Sequence, residues 1–130
     1  MDRTIKFRAW DKGWKQIVYP DIIRHNINLG IEIHRAFKPE DGSCYFPIQE
    51  NLTLMQFTGL LDCEGKEIWE SDFVEITLNY PEYTICKIVF KGMGFWFEDT
   101  EGELWVYHPE TYKLTIIGNL YEHPNLLNNE

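Results

Sequence analysis

The densest group of side chains that could do chemistry is an acidic turn around Gly102. It carries four carboxylates, those of Glu98, Asp99, Glu101 and Glu103. Oxygen-rich loops of this kind can hold Ca²⁺. The spacing, however, is not that of a calcium-binding loop, and two of the carboxylates flank a simple turn. We therefore predict a solvated hairpin turn here and no metal site.

The histidines and cysteines show no spacing typical of a catalytic or metal site. There is no H-x-x-x-H or C-x-x-C pair, and no nucleotide-binding or serine-hydrolase glycine motif. We therefore predict no zinc site, disulfide framework, catalytic thiol or cofactor, and no catalytic residue is assigned. An enzyme that uses an acidic cleft stays open as an alternative. The residues concerned are His25, His34, His108, His123, Cys44, Cys63 and Cys86.

The charge of the chain is divided unevenly along its length. The 130 residues carry a net charge of -9. Residues 1–38 contain eight basic and four acidic side chains, net +4, so the remainder is net -13. Proteins that bind nucleic acids or membrane surfaces do so through clustered Lys and Arg side chains. The net negative charge therefore disfavours both as general partners. The pattern favours a basic N-terminal piece that packs on an acidic body, either its own or that of a second copy.

Aromatic residues make up 15% of the chain and are the best candidates for binding. Most lie in apolar runs and are predicted to be structural, but Trp10 and Trp14 bracket a basic turn beside Arg8 and Lys12. We predict that Arg8, Trp10, Lys12 and Trp14 form an interaction surface, with a subunit contact as its commonest form. The same residues could instead stack nucleic-acid bases.

Period-2 alternation dominates the chain, and no segment has the apolar stripe and caps of a helix. We predict a mainly β protein of one compact unit in two parts. Residues 1–53 hold an N-terminal hairpin and an irregular insert, and residues 54–130 form an SH3-like small barrel with a C-terminal tail. The chain has neither an apolar run of membrane length nor a signal peptide, which predicts a soluble cytoplasmic protein.

Four segments together resemble the YopX family of phage and prophage proteins, and they extend over essentially the whole chain. They are residues 5–11 (IKFRAWD), 54–60 (LMQFTGL), 62–74 (DCEGKEIWESDFV) and 117–127 (IGNLYEHPNLL). The resemblance implies a compact β domain with an SH3-like barrel in its C-terminal part, encoded by temperate phages or integrated elements. It implies no activity, cofactor or ligand-binding residue.

The motif positions of the family that lie outside the basic turn are interpreted as structural, because satisfied hydrogen bonds at strand ends explain them. One position departs from the family, since Ser71 stands in a Glu-Ser-Asp sequence where the usual pattern is Glu-Gly-Asp. The expected function is a non-enzymatic protein-binding or assembly module, homo-oligomeric or bound to a host or phage protein. The motif positions are Gln56, Thr58, Gly59, Gly65, Asp72, Gly118 and Asn119.

Overall fold

The computed structural model describes residues 4–26, 30–79, 82–105 and 113–126, and it is mainly β, which confirms the predicted class. One 3₁₀ turn, Gln49–Asn51, accompanies the strands. The strands are β1 Phe7–Asp11, β2 Gln16–Asn26, β3 Gly30–Phe37, β4 Cys44–Tyr45, β5 Leu52–Leu61, β6 Glu67–Trp69, β7 Asp72–Asn79, β8 Glu82–Lys91, β9 Gly94–Glu98, β10 Leu104–Trp105 and β11 Lys113–Asn119. Contacts divide the chain into an N-terminal unit, Lys6–Gln56, and a C-terminal unit, Phe57–Glu130 with Met1–Ile5.

The N-terminal unit is an antiparallel sheet in the order β4-β3-β2-β1-β5. β1 and β2 form the predicted hairpin, with Trp10 opposite Ile17. β2 then continues through Pro20, because the pairing with β3 shifts register between Pro20 and Ile22. A β-bulge is one of the few places where a strand tolerates proline. Much of the segment interpreted as an irregular insert is therefore a long β2–β3 hairpin.

One face of this sheet forms the core of the N-terminal unit. Ala9, Val18, Ile33 and Ala36 are buried there. Ala9 lies opposite Leu54 in the β1–β5 pairing, so Leu54 and its neighbour Leu52 contribute from β5 to the same face.

The C-terminal unit contains a five-stranded antiparallel sheet in the order β10-β9-β8-β7-β11. The second half of β5 belongs to this unit and pairs with β6 through Phe57 and Trp69. The buried side chains of the unit's core cluster come from four of the sheet strands and from β6. They are Ile68, Val74, Ile76, Cys86, Ile88, Phe97 and Leu114.

Over the described residues, the sheet of the C-terminal unit does not close into the SH3-like barrel that was predicted. No pairing joins the edge strands β10 and β11 within residues 57–79, 82–105 and 113–126, so the sheet is open there. The free edge of β11 is covered by a turn instead: Cys63 N donates to Leu114 O at 2.9 Å and Ile116 N donates to Asp62 Oδ2 at 3.1 Å. Covering an edge strand with a loop protects its backbone groups from pairing with other chains, as closure of a barrel would do.

No helix in the described part of the chain is long and apolar enough to cross a membrane.

Candidate interaction site

The structure separates the four residues of the predicted interaction surface. Arg8 is buried, with 8% of its surface exposed, and Trp10 is half-buried. Arg8 lies opposite Met55, which is fully buried, so this face of β1 is covered within the chain. Lys12 and Trp14, in the turn that follows β1, are exposed. Only this pair lies on an open surface.

Asp11 builds the turn that carries Trp14. Its side chain is buried, and Oδ1 accepts hydrogen bonds from Gly13 N at 2.9 Å and Trp14 N at 3.3 Å. Its carbonyl oxygen accepts Lys15 N at 2.7 Å, and Lys15 takes a left-handed backbone with φ 55°. An aspartate that bonds backbone groups two and three residues ahead fixes a tight turn. Trp14 is therefore held by a rigid backbone.

The same carboxylate anchors Tyr45 of β4. The phenol donates to Asp11 Oδ2 at 2.6 Å. Burial, followed by this hydrogen bond and by the negative charge of Asp11, raises the pKa of Tyr45 above its usual 10.0. Tyr45 is thus a neutral hydrogen-bond donor at physiological pH, and the turn after β1 is fastened to β4.

Trp14, Tyr45 and Lys38 form a compact group that we call the Trp14 corner. The two rings meet edge to face, with centroids 6.5 Å apart and planes at 81°. The Lys38 ammonium lies 3.1 Å from the centroid of the Trp14 ring and 5.2 Å from that of Tyr45. A cation over an indole face is worth about 0.5–1 kcal/mol at exposed sites. Lys38 and Tyr45 were missed at the sequence level, because 24 and 31 residues separate them from Trp14.

The chain that leaves β4 presents further apolar side chains to solvent. Phe46 is 82% exposed and Ile48 is 61% exposed, directly after Tyr45. Exposed aromatic and aliphatic side chains grouped along a short segment are typical of contact surfaces. Together with Trp14, they give the N-terminal unit its most exposed large apolar side chains.

Three of the family-motif positions lie in β5, and two of them, Thr58 and Gly59, lie where the strand is irregular. Thr58 Oγ1 donates to Ile68 O at 2.7 Å and accepts Leu60 N at 3.1 Å. The pairing with β6 shifts register here, and Gly59 has φ 90°, a left-handed backbone that favours glycine. Gln56 also lies in β5, one residue before Phe57.

Asp62 organises the next turn, which ends at Gly65 with φ 82°. Its Oδ1 accepts Glu64 N and Lys66 N, both at 2.9 Å. Burial of Asp62 raises the pKa of its carboxyl group, but the N–H groups of Ile116, Lys66 and Glu64 outweigh this effect and hold the pKa below 3.8. The carboxylate is therefore charged, and it accepts hydrogen bonds from its own turn and from β11.

The remaining motif positions meet where β7 begins and β11 ends. Asn119 lies opposite Asp72, and Gly118 lies opposite Phe73. Asp72 Oδ2 accepts Trp69 N at 2.8 Å. Asn119 Oδ1 accepts the next turn's backbone N–H groups, Tyr121 N at 3.0 Å and Glu122 N at 2.9 Å. These hydrogen bonds are of the kind that the structural interpretation requires.

Gly118 is in close contact with the C-terminal turn. A β-carbon at this position would lie 2.8 Å from His123 Nδ1 and 3.2 Å from Leu126 Cδ2. Such distances are shorter than van der Waals contact, so a larger residue at position 118 would require the His123 and Leu126 side chains to shift.

Ser71, the departure from the family pattern, keeps the backbone conformation that glycine favours. Its φ is 73°, and its N–H and C=O bond Ile88 O at 2.8 Å and Leu120 N at 2.9 Å. A left-handed backbone costs an L-residue roughly 1–2 kcal/mol. Replacement by glycine recovers only part of this energy, because glycine loses more conformational entropy on folding.

We expect Ser71→Gly to raise the free energy of unfolding by about 0.5–1 kcal/mol, because the strain at the β-carbon is removed. Urea unfolding measures this as a higher midpoint at constant slope. Ser71→Ala is the matched control, since it removes only the hydroxyl and should give no gain. Equal midpoints for the Gly and Ala variants would show that Ser71 is unstrained.

Two of the groups considered for chemistry, Cys86 and Asp99, have environments that the structure describes. Cys86 is fully buried, and burial, with a smaller contribution from Asp99, raises the pKa of its thiol to about 12. Asp99 Oδ1 accepts Glu101 N and Glu103 N, so the acidic turn closes the β9–β10 hairpin. Among the described residues, no three His, Cys, Asp or Glu side chains are grouped as metal ligands would be. His108 lies outside the described residues.

Taken together, these features define a mainly β protein of two units with an exposed, rigidly held aromatic and basic corner. The chain belongs to the family described as YopX protein, whose model matches residues 6–128. This confirms the resemblance found in the sequence.

Two solved structures are similar along almost the whole chain. Protein EF1440 from Enterococcus faecalis is 23% identical with a TM-score of 0.62, over 97% of this chain and 99% of that one. Protein yopX from Bacillus subtilis is 22% identical with a TM-score of 0.62, over the same shares. At this level of identity the likeness shows the fold. No curated protein matches the sequence.

Proposed function

We propose that the chain is a protein-binding and assembly module whose contact surface is the Trp14 corner with Lys12 and Lys15. The observation that carries the proposal is the exposure of Trp14. Of the five tryptophans only Trp14 is exposed, at 56%, although Asp11 and Tyr45 hold it rigidly. A preorganised aromatic side chain loses little entropy on binding, and such residues dominate the energy of protein interfaces. The proposed setting is the cytoplasm of a bacterium that carries a phage or prophage.

The partner we propose is a second copy of the chain. Lys12 and Lys15 are exposed beside Trp14, so the partner surface should be acidic. The C-terminal unit supplies such a surface, because Glu101 and Glu103 are exposed while Glu98 pairs with Lys91 at 2.7 Å. In a twofold dimer this basic-to-acidic contact is made twice, which doubles its contribution.

Nucleic-acid binding has weaker support from the same geometry. Base stacking requires an open ring face, and the Lys38 ammonium occupies one face of Trp14. Arg8, which the alternative needed as a phosphate contact, is buried. The net charge of -9 further opposes association with phosphate.

The test is light scattering coupled to size exclusion, on the wild type and on a Trp14→Ala/Lys12→Glu double variant. We expect the wild type to be a dimer or larger at low salt, and to dissociate more readily at 1 M salt, where the Debye length is about 3 Å. We expect the double variant to dissociate at least about tenfold more readily, because it loses an aromatic anchor and reverses a charge.

The matched control is Met93→Ala/Lys113→Glu, which changes a fully exposed apolar side chain and an exposed lysine of the C-terminal unit. It should assemble as the wild type does. A wild type that is monomeric at every salt and protein concentration contradicts the proposal, and so does equal weakening by both double variants.

A further inference from the structure

The outer edge of β3 is only partly paired, and it adjoins an open groove. β4 pairs with this edge at Ala36 and Phe37, and no other strand of the described residues pairs with it. Beyond them the edge borders a groove of about 320 Å³. The groove is lined by Ile31, Glu32, Ile33, Gln49, Glu50, Leu52 and Leu54.

Gln49 occupies the place on this edge where a neighbouring strand would pair. Its Oε1 accepts Ile33 N at 3.0 Å, and its Nε2 donates to Ile33 O at 2.5 Å. A side-chain carboxamide has the same donor and acceptor as a backbone peptide group. The Gln49 carboxamide therefore donates one hydrogen bond to Ile33 and accepts one from it, as a residue of a neighbouring antiparallel strand would do. Gln49 is itself exposed, so this cover can be displaced.

The same edge continues beyond the contact with Gln49. Backbone groups that point to one edge of a strand alternate, so Ile31 presents its N–H and C=O on the same side as Ile33. Ile31 is 42% exposed, and its pairing with His25 of β2 uses the opposite edge. A strand added here would pair with Gly30–Ile33 in line with β4.

The groove beside this edge has the composition that an added strand needs. Leu52 and Leu54 of β5 are half-buried along one wall, and Ile33 and Ile31 form the other. These apolar walls suit alternate side chains of an extended peptide. The titratable side chains that line the groove are those of Glu32 and Glu50, so the peptide should be basic at its outward positions.

We infer that the Gly30–Ile33 edge of β3 is a strand-addition site for an extended peptide with alternating apolar and basic side chains. The Gln49 side chain holds the place of the peptide in the free protein. This site uses other residues than the Trp14 corner, and its test does not depend on assembly of the chain.

The experiment titrates the full chain with a fluorescent, end-capped seven-residue peptide of alternating lysine and valine, followed by anisotropy at low salt. Gln49→Ala frees the N–H and C=O of Ile33, so we expect it to bind at least about fivefold more tightly than the wild type. We expect Glu32→Gln and Glu50→Gln each to bind more weakly, whereas Glu40→Gln, in the turn after β3, should bind as the wild type does. Hydrogen exchange should slow at the Ile31 amide when the peptide is bound.

Two control peptides separate strand addition from charge attraction. A peptide of the same sequence, N-methylated at alternate residues along one edge, keeps its charge but loses the donors that pair with β3, so its binding should be lost. A peptide in which glutamate replaces lysine should also fail to bind. Circular dichroism checks that Gln49→Ala is folded, and Gln49→Glu, which keeps the acceptor for Ile33 N but not the donor, should bind with intermediate affinity.

Several outcomes would overturn the inference. They are no binding by either the wild type or Gln49→Ala, equal binding by the two, or binding that N-methylation leaves unchanged. Dimerisation of Gln49→Ala without peptide would show instead that the edge takes a second copy of the chain.

Discussion

Replacing Asp62 by alanine is expected to lower the free energy of unfolding by about 3 kcal/mol. The carboxylate accepts hydrogen bonds from Glu64 N, Lys66 N and Ile116 N and is 6% exposed. Each buried donor that loses a charged acceptor costs roughly 1–3 kcal/mol, reduced here where water reaches the turn. Denaturant unfolding measures the loss, and the edge of β11 should open locally in hydrogen exchange at the Ile116 amide.

The same residue predicts how the protein responds to acid. The folded pKa of Asp62 lies below 3.8, so the unfolded chain takes up the proton first as the pH falls. The contribution of the Asp62 carboxylate to the free energy of unfolding is complete above the pKa that Asp62 has in the unfolded chain. This contribution declines as the pH falls through 3.8 towards the lower pKa of the folded state. The difference in stability between the wild type and Asp62→Ala should therefore shrink in this range. Asp62→Asn, which keeps one acceptor, should lie between the two.

A loss below about 1 kcal/mol, or a difference that does not change with acid, would show that the turn is held by its backbone bonds alone. The unfolding curve also tests the predicted single compact unit. One cooperative transition that Asp62→Ala shifts as a whole indicates that the two units unfold together.

Replacing Asp11 by alanine is expected to lower stability by a similar amount, about 3 kcal/mol, in the N-terminal unit. Gly13 N, Trp14 N and the phenol of Tyr45 all lose their acceptor, and the carboxylate is only 1% exposed. Unsatisfied buried donors account for this cost. Thermal or urea unfolding measures it, and the indole N–H resonance of Trp14 should broaden because its turn is no longer fixed.

Tyr45→Phe separates the two roles of Asp11. It removes the phenol hydrogen bond but leaves the turn bonds in place, so we expect a smaller loss of about 1–2 kcal/mol and an unchanged Trp14 resonance. Because the pKa of Tyr45 is raised, the unfolded chain loses its phenol proton first above pH 10.0, and this stabilising contribution declines as the pH rises beyond that value. Equal effects of both variants would indicate that Asp11 acts through Tyr45 alone.

Local chemistry could be predicted from the sequence more reliably than long-range contacts. Period-2 alternation predicted the β class, and the basic turn between Trp10 and Trp14 was recognised from its residues. What the second carboxylate oxygens of Asp11 and Asp62 do could not be foreseen, since Asp11 reaches Tyr45 across 34 residues and Asp62 reaches Ile116 across 54. The open sheet could not be foreseen for the same reason, since the contacts of the Asp62 turn with β11 join residues that are far apart in the sequence.

Of the residues in the proposed contact surface, Lys12 and Trp14 were named from the sequence. Arg8 and Trp10 were predicted to lie on an interaction surface, but Arg8 is buried and Trp10 is half-buried. From the sequence, a strand that is buried on both faces cannot be distinguished from one with an exposed face when a charged side chain lies on one of its faces. Trp14 was identified from its place in a basic turn, whereas Lys38 and Gln49 lay in a segment interpreted as irregular. Their roles depend on contacts far along the chain, because Lys38 lies over Trp14 and Gln49 bonds Ile33 of β3.

The most direct test of assembly through the Trp14 corner is zero-length carbodiimide cross-linking of an equal mixture of ¹⁴N- and ¹⁵N-labelled chains. The reagent joins amines to carboxylates that are already in contact. The account predicts mixed-isotope peptide pairs that join Lys12 or Lys15 of one copy to Glu101 or Glu103 of another, and their loss at high salt. Cross-links from Lys12 and Lys15 that are confined to single copies, with no mixed-isotope pair, would contradict it.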